Sequence, residues 1–391
     1  MSQKIVMNDF DGLRPRTAGL GKKHQDWRTK LRIFVDENIV PDLDAWSEAG
    51  TFPDELYKKA AKAGLLGFGF AVELGGWAED ADLYHRIIFA EEFHRHGSGV
   101  VFADIATLWI GLPPVVKFGS PQLLESVVRP ILAGEKKIAF AVTEPGGGSD
   151  VGGLSMTADF DGDNYVVNGV KTLISGATRA DWVLTVVRTG SKGLTLLLID
   201  TVSEGMSVEP VKGLSWYSAS NGTISFDSVK VPVNNRIGDE GRAFSYLTEQ
   251  FNIERFSGVA ATLAMARTAT ADTIVWAKDR HTFGKRLIDH QSIRHKLVAM
   301  VREIRAAYGY LDQCVYRFEN DELPIADLCM LKVHATGVLE RVSRDAMHVL
   351  GGQAYQGNHR IERIQRESRI FALGGGTEEV LSDLAARQLE F

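Results

Sequence analysis

The sequence predicts a multi-domain α+β protein: an N-terminal helical domain over residues 1–137, a central β-barrel or sandwich domain over 138–240, and a C-terminal four-helix bundle over 241–391. Three observations predict it. Up to about Glu135 apolar residues recur at helical spacing. From Lys137 to Gly238 the pattern shortens to alternating runs broken by turn residues, and from Arg242 onward it becomes long amphipathic stretches with short connections. With 391 residues, 45% hydrophobic and 24% charged, the chain has a globular composition and length enough for two or three domains.

In the first part, WRTKLRIFVDENIVPDLDAW reads as one helix and FPDELYKKAAKAGLL as another, with Pro53 near its first turn. PQLLESVVRPILAG follows Ser120, an expected N-cap, and stops at Gly134. In the middle part, SMTADFDGDNYVVNGVKTLIS alternates between turn signals at DGDN and at Asn168-Gly169, a favoured hairpin dipeptide. DWVLTVVRT, GLTLLLID and NGTISFDSVKVP continue as strands. In the last part, the stretch from Arg242 to Arg280 lacks proline and reads as one long helix. QSIRHKLVAMVREIRAAYGYLDQCVYRFEN, DLCMLKVHATGVLERVSRDAMHVLGG and TEEVLSDLAARQLE follow as three more.

Several function classes are excluded at this level. A formal net charge of −6 with dispersed Lys and Arg argues against phosphate-based nucleic-acid binding. Cys314 and Cys329 make no disulfide framework, and there is no CxxC. No apolar run reaches the ~18 residues of a membrane helix. MSQKIVMNDF has neither a signal-peptide core nor a transit-peptide character, and the final LEF is not a peroxisomal address, so a soluble, cytoplasmic protein is expected. Neither GxGxxG after a strand nor GxxxxGK[ST] occurs, which disfavours a Rossmann site and a P-loop. No metal site is expected: His94 and His96 flank Arg95 on a helix, where i and i+2 do not face each other, and read as solvated surface histidines.

The unusual segment is AFAVTEPGGGSDVGG, residues 139–153, joining the helical part to the β part. An apolar strand runs into Thr143-Glu144-Pro145, three glycines and Ser149-Asp150; bare glycines let a planar or anionic ligand approach the backbone. FAVTEPGGGSDV resembles the flavin-binding segment of the acyl-CoA dehydrogenases. RHTFGK (280–285) followed by Gln291, the HVLGG turn (348–352), the Gly375-Gly376-Thr377 segment and the Glu73-Leu74-Gly75-Gly76 turn resemble further segments of that family, in its order and over nearly the whole chain.

The resemblance implies a non-Rossmann FAD site. Phe140, Val142, Thr143, Gly148 and Ser149 would line the isoalloxazine ring, with Leu173 and Ser175 over its other part. Leu173 stands where the family usually has tryptophan, and Ser175 where it has threonine. Arg280 would meet the pyrophosphate, supplied by a neighbouring subunit, with Thr282 and Phe283 beside it. Gln291, His348, Gly351 and Gly352 would hold the adenine end. Thr377 and Glu379 would complete the site at the start of the last helix. His348 and Glu379 each replace a more usual glutamine.

The reaction so implied removes the α-proton of an acyl-CoA thioester while hydride leaves the β-carbon for flavin N5, forming a trans-2-enoyl-CoA. It needs a desolvated carboxylate as base. The commonest family pattern places that glutamate directly before the GT segment, where this chain has Gly375. A second pattern, in branched-chain and long-chain members, takes it from the long helix just before an arginine, matching Glu254-Arg255 in FNIERFSG. Glu254 is therefore the expected base, with Ser149, Phe251, Arg255 and Gly375 contacting substrate and the Gly375 amide facing the thioester carbonyl. The expected substrate is a branched or bulky acyl-CoA, the expected acceptor an electron-transferring flavoprotein, and the expected assembly a homotetramer. Alternatives are an enoyl-CoA reductase of the crotonobetainyl-CoA reductase type, or a flavin oxidase or monooxygenase on the same scaffold.

Overall fold

The computed structural model describes residues 10–17, 19–77, 81–190, 193–213, 220–357 and 359–391. Of the N-terminal segment examined for a leader, only Phe10 falls within them. The first part carries helices α1 (Lys22–Asn38), α2 (Leu43–Ala49), α3 (Glu55–Lys62), α4 (Leu83–His94), α5 (Val100–Ile105) and α6 (Leu108–Phe118). Then come α7 (Pro121–Leu123) and α8 (Arg129–Leu132), joined by a π turn. The single helix expected from Trp27 to Trp46 is two, because Pro41 cannot donate into a continuing helix and sits in a 3₁₀ turn between α1 and α2. Ser120 does cap α7, accepting from the Leu123 N–H at 3.3 Å.

The middle part is a sheet of eight strands: β1 (Ile138–Ala141), β2 (Thr157–Phe160), β3 (Asn164–Ile174), β4 (Trp182–Thr189), β5 (Gly193–Asp200), β6 (Met206–Pro210), β7 (Gly222–Pro232) and β8 (Arg236–Ile237). Their order is β6-β7-β3-β2-β4-β5-β8, with β1 also paired to β4. Strands β1 and β2 lie end to end along one edge of β4, both parallel to it, at Ile138↔Trp182 and Thr157↔Arg188. DGDN makes the β2–β3 turn, where Asp161 Oδ1 accepts from the N–H groups of Asp163 and Asn164. Asn168-Gly169 is not a second turn. It is a bulge inside β3, where the pairing with β7 shifts register and the Asn168 side chain accepts from the Ser228 N–H at 2.8 Å.

Strands β4 and β5 read as continuous apolar runs because both of their faces are buried. Leu184, Val186, Leu196 and Leu198 join the core of the N-terminal helices, while Val183, Val187, Leu197 and Ile199 join the core inside the β part.

The last part consists of α9 (Ala243–Asp279), a two-stranded hairpin β9 (His281–Thr282) and β10 (Lys285–Arg286), α10 (Gln291–Phe318), α11 (Ile325–Leu350), α12 (Arg360–Leu373) and α13 (Glu378–Gln388). Helix α9 is the axis of this region. Its alanines 260, 261, 264, 266 and 269 are fully buried, and it packs with α10, α11, α12 and, from the first part, α4 into one core. At the contact between α1, α4 and α9 lies a buried ion network. Glu91 accepts from Arg14 at 2.8 Å and Arg28 at 2.7 Å, and Glu92 from Arg28 at 2.8 Å and Arg32 at 2.9 Å.

Two expectations are corrected here. His94 and His96 are buried rather than solvated, because the C-terminal end of α4 is covered by α5 and α12. His94 Nδ1 donates to the Ala90 carbonyl at 2.7 Å, and burial pushes its pKa down to about 4. Residues Val100–Phe118 are long and apolar enough to cross a membrane by length and composition, but most of that stretch is buried in this protein, where Leu112 and Val115 belong to the core.

Candidate functional site

The candidate residues fall into three groups. The first is the loop after β1. Glu144, 6% exposed, accepts from the N–H and Oγ of Ser155 at 2.8 Å, from the Met156 N–H at 3.1 Å and from Lys171 Nζ at 2.8 Å. Burial opposes its charge, but the Lys171 ammonium and the Ser155 donors outweigh that and hold its carboxyl below the ordinary range. Lys171 also donates to the Val142 carbonyl at 2.8 Å. Glu144 is therefore the loop's internal staple, and its partner Lys171 was not singled out by the motif.

The staple leaves the rest of the loop free to meet a ligand. Phe140, Val142 and Thr143 are half-buried, and Gly148 and Ser149 are exposed. Thr143 is tied to β3 by the Thr172 N–H at 2.9 Å. The next residue, Leu173, is 63% exposed in a left-handed conformation at φ +58°, and Ser175 is half-buried beyond it. A non-glycine residue held at positive φ with its apolar side chain in the open is a local cost that a ligand contact would offset.

The second group gathers at the far end of the bundle. Arg280 caps α9, exposed, its guanidinium 5.9 Å from the Trp276 ring and without a hydrogen bond or ion pair among the described residues. Thr282 is half-buried in β9, and Phe283 is 97% exposed at the hairpin tip. Gln291 opens α10, exposed, and His348, Gly351 and Gly352 end α11, also exposed.

The third group surrounds Glu254. Phe251, Glu254 and Arg255 lie on α9, all half-buried. The Glu254 carboxylate has no hydrogen bond or ion pair among the described residues. Burial raises its pKa, with Arg255 and then Lys332 drawing it partly back. Arg255 donates to Asn252 Oδ1 at 2.8 Å, while Arg255 Nε and Asn252 Nδ2 are buried without a partner. Lys332, which the sequence analysis missed, reaches from α11 and donates to the Gly376 carbonyl at 2.7 Å. This brings the Gly375–Thr377 turn beside the Glu254 group. Thr377 caps α13, accepting from the Val380 N–H at 3.4 Å, and Glu379 is an exposed first-turn acid. A Cβ added at Gly375 would meet nothing within 4 Å, so open space adjoins the turn.

Groups two and three lie far apart within one chain. Arg280, the C-cap of α9, follows Glu254 by 26 residues, about 39 Å at 1.5 Å per helical residue. Elsewhere, His24, Asp82 and His85 bring ligand atoms within 4.8 Å of one another, but hydrogen bonding accounts for them. Asp82 caps α4 and accepts from His24 Nε2 and Lys23 Nζ, each at 2.9 Å.

An unpaired carboxylate shielded from solvent beside a glycine turn, and an open glycine-rich loop on the sheet, sit together on a helix–sheet–helix scaffold. Family comparison makes this specific. Residues 21–135, 139–229 and 241–390 match the N-terminal, middle and C-terminal domains of acyl-CoA dehydrogenase. A caffeyl-CoA reductase–Etf complex subunit, CarC, of Acetobacterium woodii is 31% identical over 90% of this chain and 94% of that protein. A 3-(aryl)acrylate reductase of Clostridium sporogenes is 30% identical over 94% and 98%. The crystal structure of a putative acyl-CoA dehydrogenase from Mycobacterium smegmatis superposes with a TM-score of 0.92 at 37% identity, covering 95% of this chain and 99% of that one. The chain belongs to the acyl-CoA dehydrogenase family. It is an oxidoreductase, and its cofactor is FAD. The residues present fit that group: an open glycine loop for the ring, and an unpaired exposed guanidinium for a pyrophosphate.

Proposed function

We propose that the protein oxidises an acyl-CoA thioester to a trans-2-enoyl-CoA with Glu254 as the base. The observation that carries this reading is the Glu254 carboxylate itself: half-buried, unpaired, raised by burial and beside the Gly375–Thr377 turn, where no carboxylate stands at position 375. Glu254 takes the α-proton, and the carbanion is resonance-stabilised onto the thioester oxygen. The Gly375 N–H donates to that oxygen, and Arg255 balances charge beside the base. FAD, when bound, accepts the hydride from the β-carbon. Phe140, Val142, Thr143, Gly148, Ser149, Leu173 and Ser175 would hold its ring. Arg280, Thr282, Phe283, Gln291 and the His348–Gly352 turn would hold its pyrophosphate and adenine.

The ~39 Å between Glu254 and Arg280 supports a site shared between two chains, and hence a homo-oligomer, for which we favour a dimer of dimers. The near-complete exposure of Phe283 agrees with a surface that a neighbouring chain covers. Open space at Gly375 supports a branched or bulky acyl group. The Etf named with the Acetobacterium relative supports an electron-transferring flavoprotein as redox partner.

The relatives named as reductases favour a second reading in which the same residues run the reaction toward the saturated acyl-CoA. One anaerobic experiment tests both. Oxidised protein is mixed with a panel of saturated straight, branched and aryl acyl-CoAs, and dithionite-reduced protein with the matching enoyl-CoAs. Bleaching by a saturated thioester supports dehydrogenation, and reoxidation by an enoyl-CoA alone supports the reductase. No flavin change with any thioester would reject the acyl-CoA site. Rapid reoxidation by air would point to an oxidase instead.

A further inference from the structure

The turn that closes α12 is held by one buried cation. Lys332 is 6% exposed, and its Nζ donates to the Gly376 carbonyl at 2.7 Å. That is its one side-chain hydrogen bond among the described residues, and no carboxylate there lies within ion-pair distance of it. The titratable groups facing it are Arg255 and Glu254 from α9 and Cys329 from its own helix. Burying an ammonium with so little compensation is expensive, so a lysine at this position needs a reason beyond packing. Burial, with Arg255 adding to it, pushes its pKa down to about 8, which leaves it mostly charged at neutral pH.

Resting on the reading of Glu254 and Gly375 above, we propose that Lys332 is a positioning residue for the reaction. It anchors the Gly376 carbonyl, and thereby keeps the adjacent Gly375 N–H aligned with the thioester oxygen while Glu254 works on the α-carbon. Gly375 and Gly376 both adopt positive φ, +69° and +104°, so the turn has wide backbone freedom in the absence of an external anchor. The same ammonium lies within Coulombic reach of Glu254 and eases its ionisation. Losing Lys332 therefore has two separable effects. The oxyanion donor drifts, which weakens binding of the enolate-like state and leaves binding of the CoA portion intact. The base becomes harder to ionise, which moves the acid limb of the rate profile to higher pH.

The test uses FAD-loaded protein and two probes. Acetoacetyl-CoA has an acidic α-carbon and ionises to an enolate, which against an oxidised flavin gives a long-wavelength charge-transfer band. Hexyl-CoA thioether has no carbonyl. Lys332→Met should bind acetoacetyl-CoA ~10-fold or more weakly, with the pH midpoint of the band shifted upward, while hexyl-CoA binds within about twofold of wild type. Lys332→Arg should recover most of the loss. Unchanged acetoacetyl-CoA affinity and midpoint in Lys332→Met would overturn the proposal, as would equal weakening of both probes, which marks a structural role alone. If Lys332→Met fails to retain FAD, Lys332→Gln and Lys332→Arg decide. The glutamine, a donor without charge, should show the upward midpoint and the arginine should not; identical behaviour would overturn the proposal. A wild-type protein that forms no band would reject the acyl-CoA reading itself, and this proposal with it.

Discussion

A shared site predicts that two inactive variants repair each other. Arg280→Ala removes a charge-assisted contact worth about 1.5–3 kcal/mol, so FAD retention should weaken ~10- to 150-fold. Glu254→Gln keeps FAD and loses the base. On the shared-site proposal, the ~39 Å of helix between the two residues means that Arg280 would serve the site built around the Glu254 of another chain. In a hybrid pair of the two variants, one site then holds Glu254 from the first chain and Arg280 from the second, both intact, while the other site has lost both. Random assortment makes about half of the pairs hybrid, and one of the two sites in each hybrid is intact, so roughly a quarter of wild-type sites should return in the mixture and about half in doubly tagged pairs. The assay is co-expression with two affinity tags, isolation of doubly tagged protein, and anaerobic bleaching per chain. Doubly tagged protein no more active than the average of its parents would refute the argument and place Arg280 in its own chain's site.

Other outcomes follow from the same structure. Glu91→Ala removes the buried carboxylate shared by Arg14 and Arg28, leaving Arg28 with Glu92 and Arg14 with the more distant Asp312, and should cost about 3–5 kcal/mol in urea unfolding. The Glu91 carboxyl is held well below its ordinary range, burial being outweighed by Arg14, Arg28 and Arg267, so its contribution is present at neutral pH and lost as pH falls through the folded value. Glu254 has the opposite sign. Its folded pKa is raised, so ionising it destabilises the fold as pH rises above its ordinary value of 4.5. Glu254→Gln should therefore melt higher than wild type at pH 8, and the difference should vanish below pH ~4, read by thermal scans at the two pH values.

The three-part architecture was legible because the period of the apolar pattern changes twice, and the helix start at Ser120 carried a local capping signal that tertiary contacts did not override. Pairing between distant segments was less visible. Asn168-Gly169 has the composition of a hairpin, but β3 continues through it because β7 supplies partners on both sides and the extra residue is absorbed as a bulge. His94 and His96 look like surface residues on a helix wheel. Their burial comes from α5 and α12, remote in sequence, which no local spacing encodes. At the candidate site, Glu254 was singled out by its neighbour Arg255 and by the glycine at 375. Lys332 lies 78 residues from Glu254 on another helix and carries no motif, so only the fold brings it to the Gly376 carbonyl. The Glu144–Lys171 staple was hidden for the same reason: one end sits in the loop after β1 and the other on β3, and the glutamate was read with the flavin motif rather than with its ion-pair partner.

The central claim is that Glu254 removes the α-proton, and a single substitution reaches it most directly. Glu254→Gln preserves shape and hydrogen-bonding capacity while abolishing basicity. With a thioester that bleaches the wild-type flavin anaerobically, the variant should keep its FAD and bind the thioester. Its bleaching rate should fall ~10²–10⁴-fold. Bleaching within about threefold of wild type would contradict the account and transfer the search for the base to Glu378 and Glu379 at the start of α13.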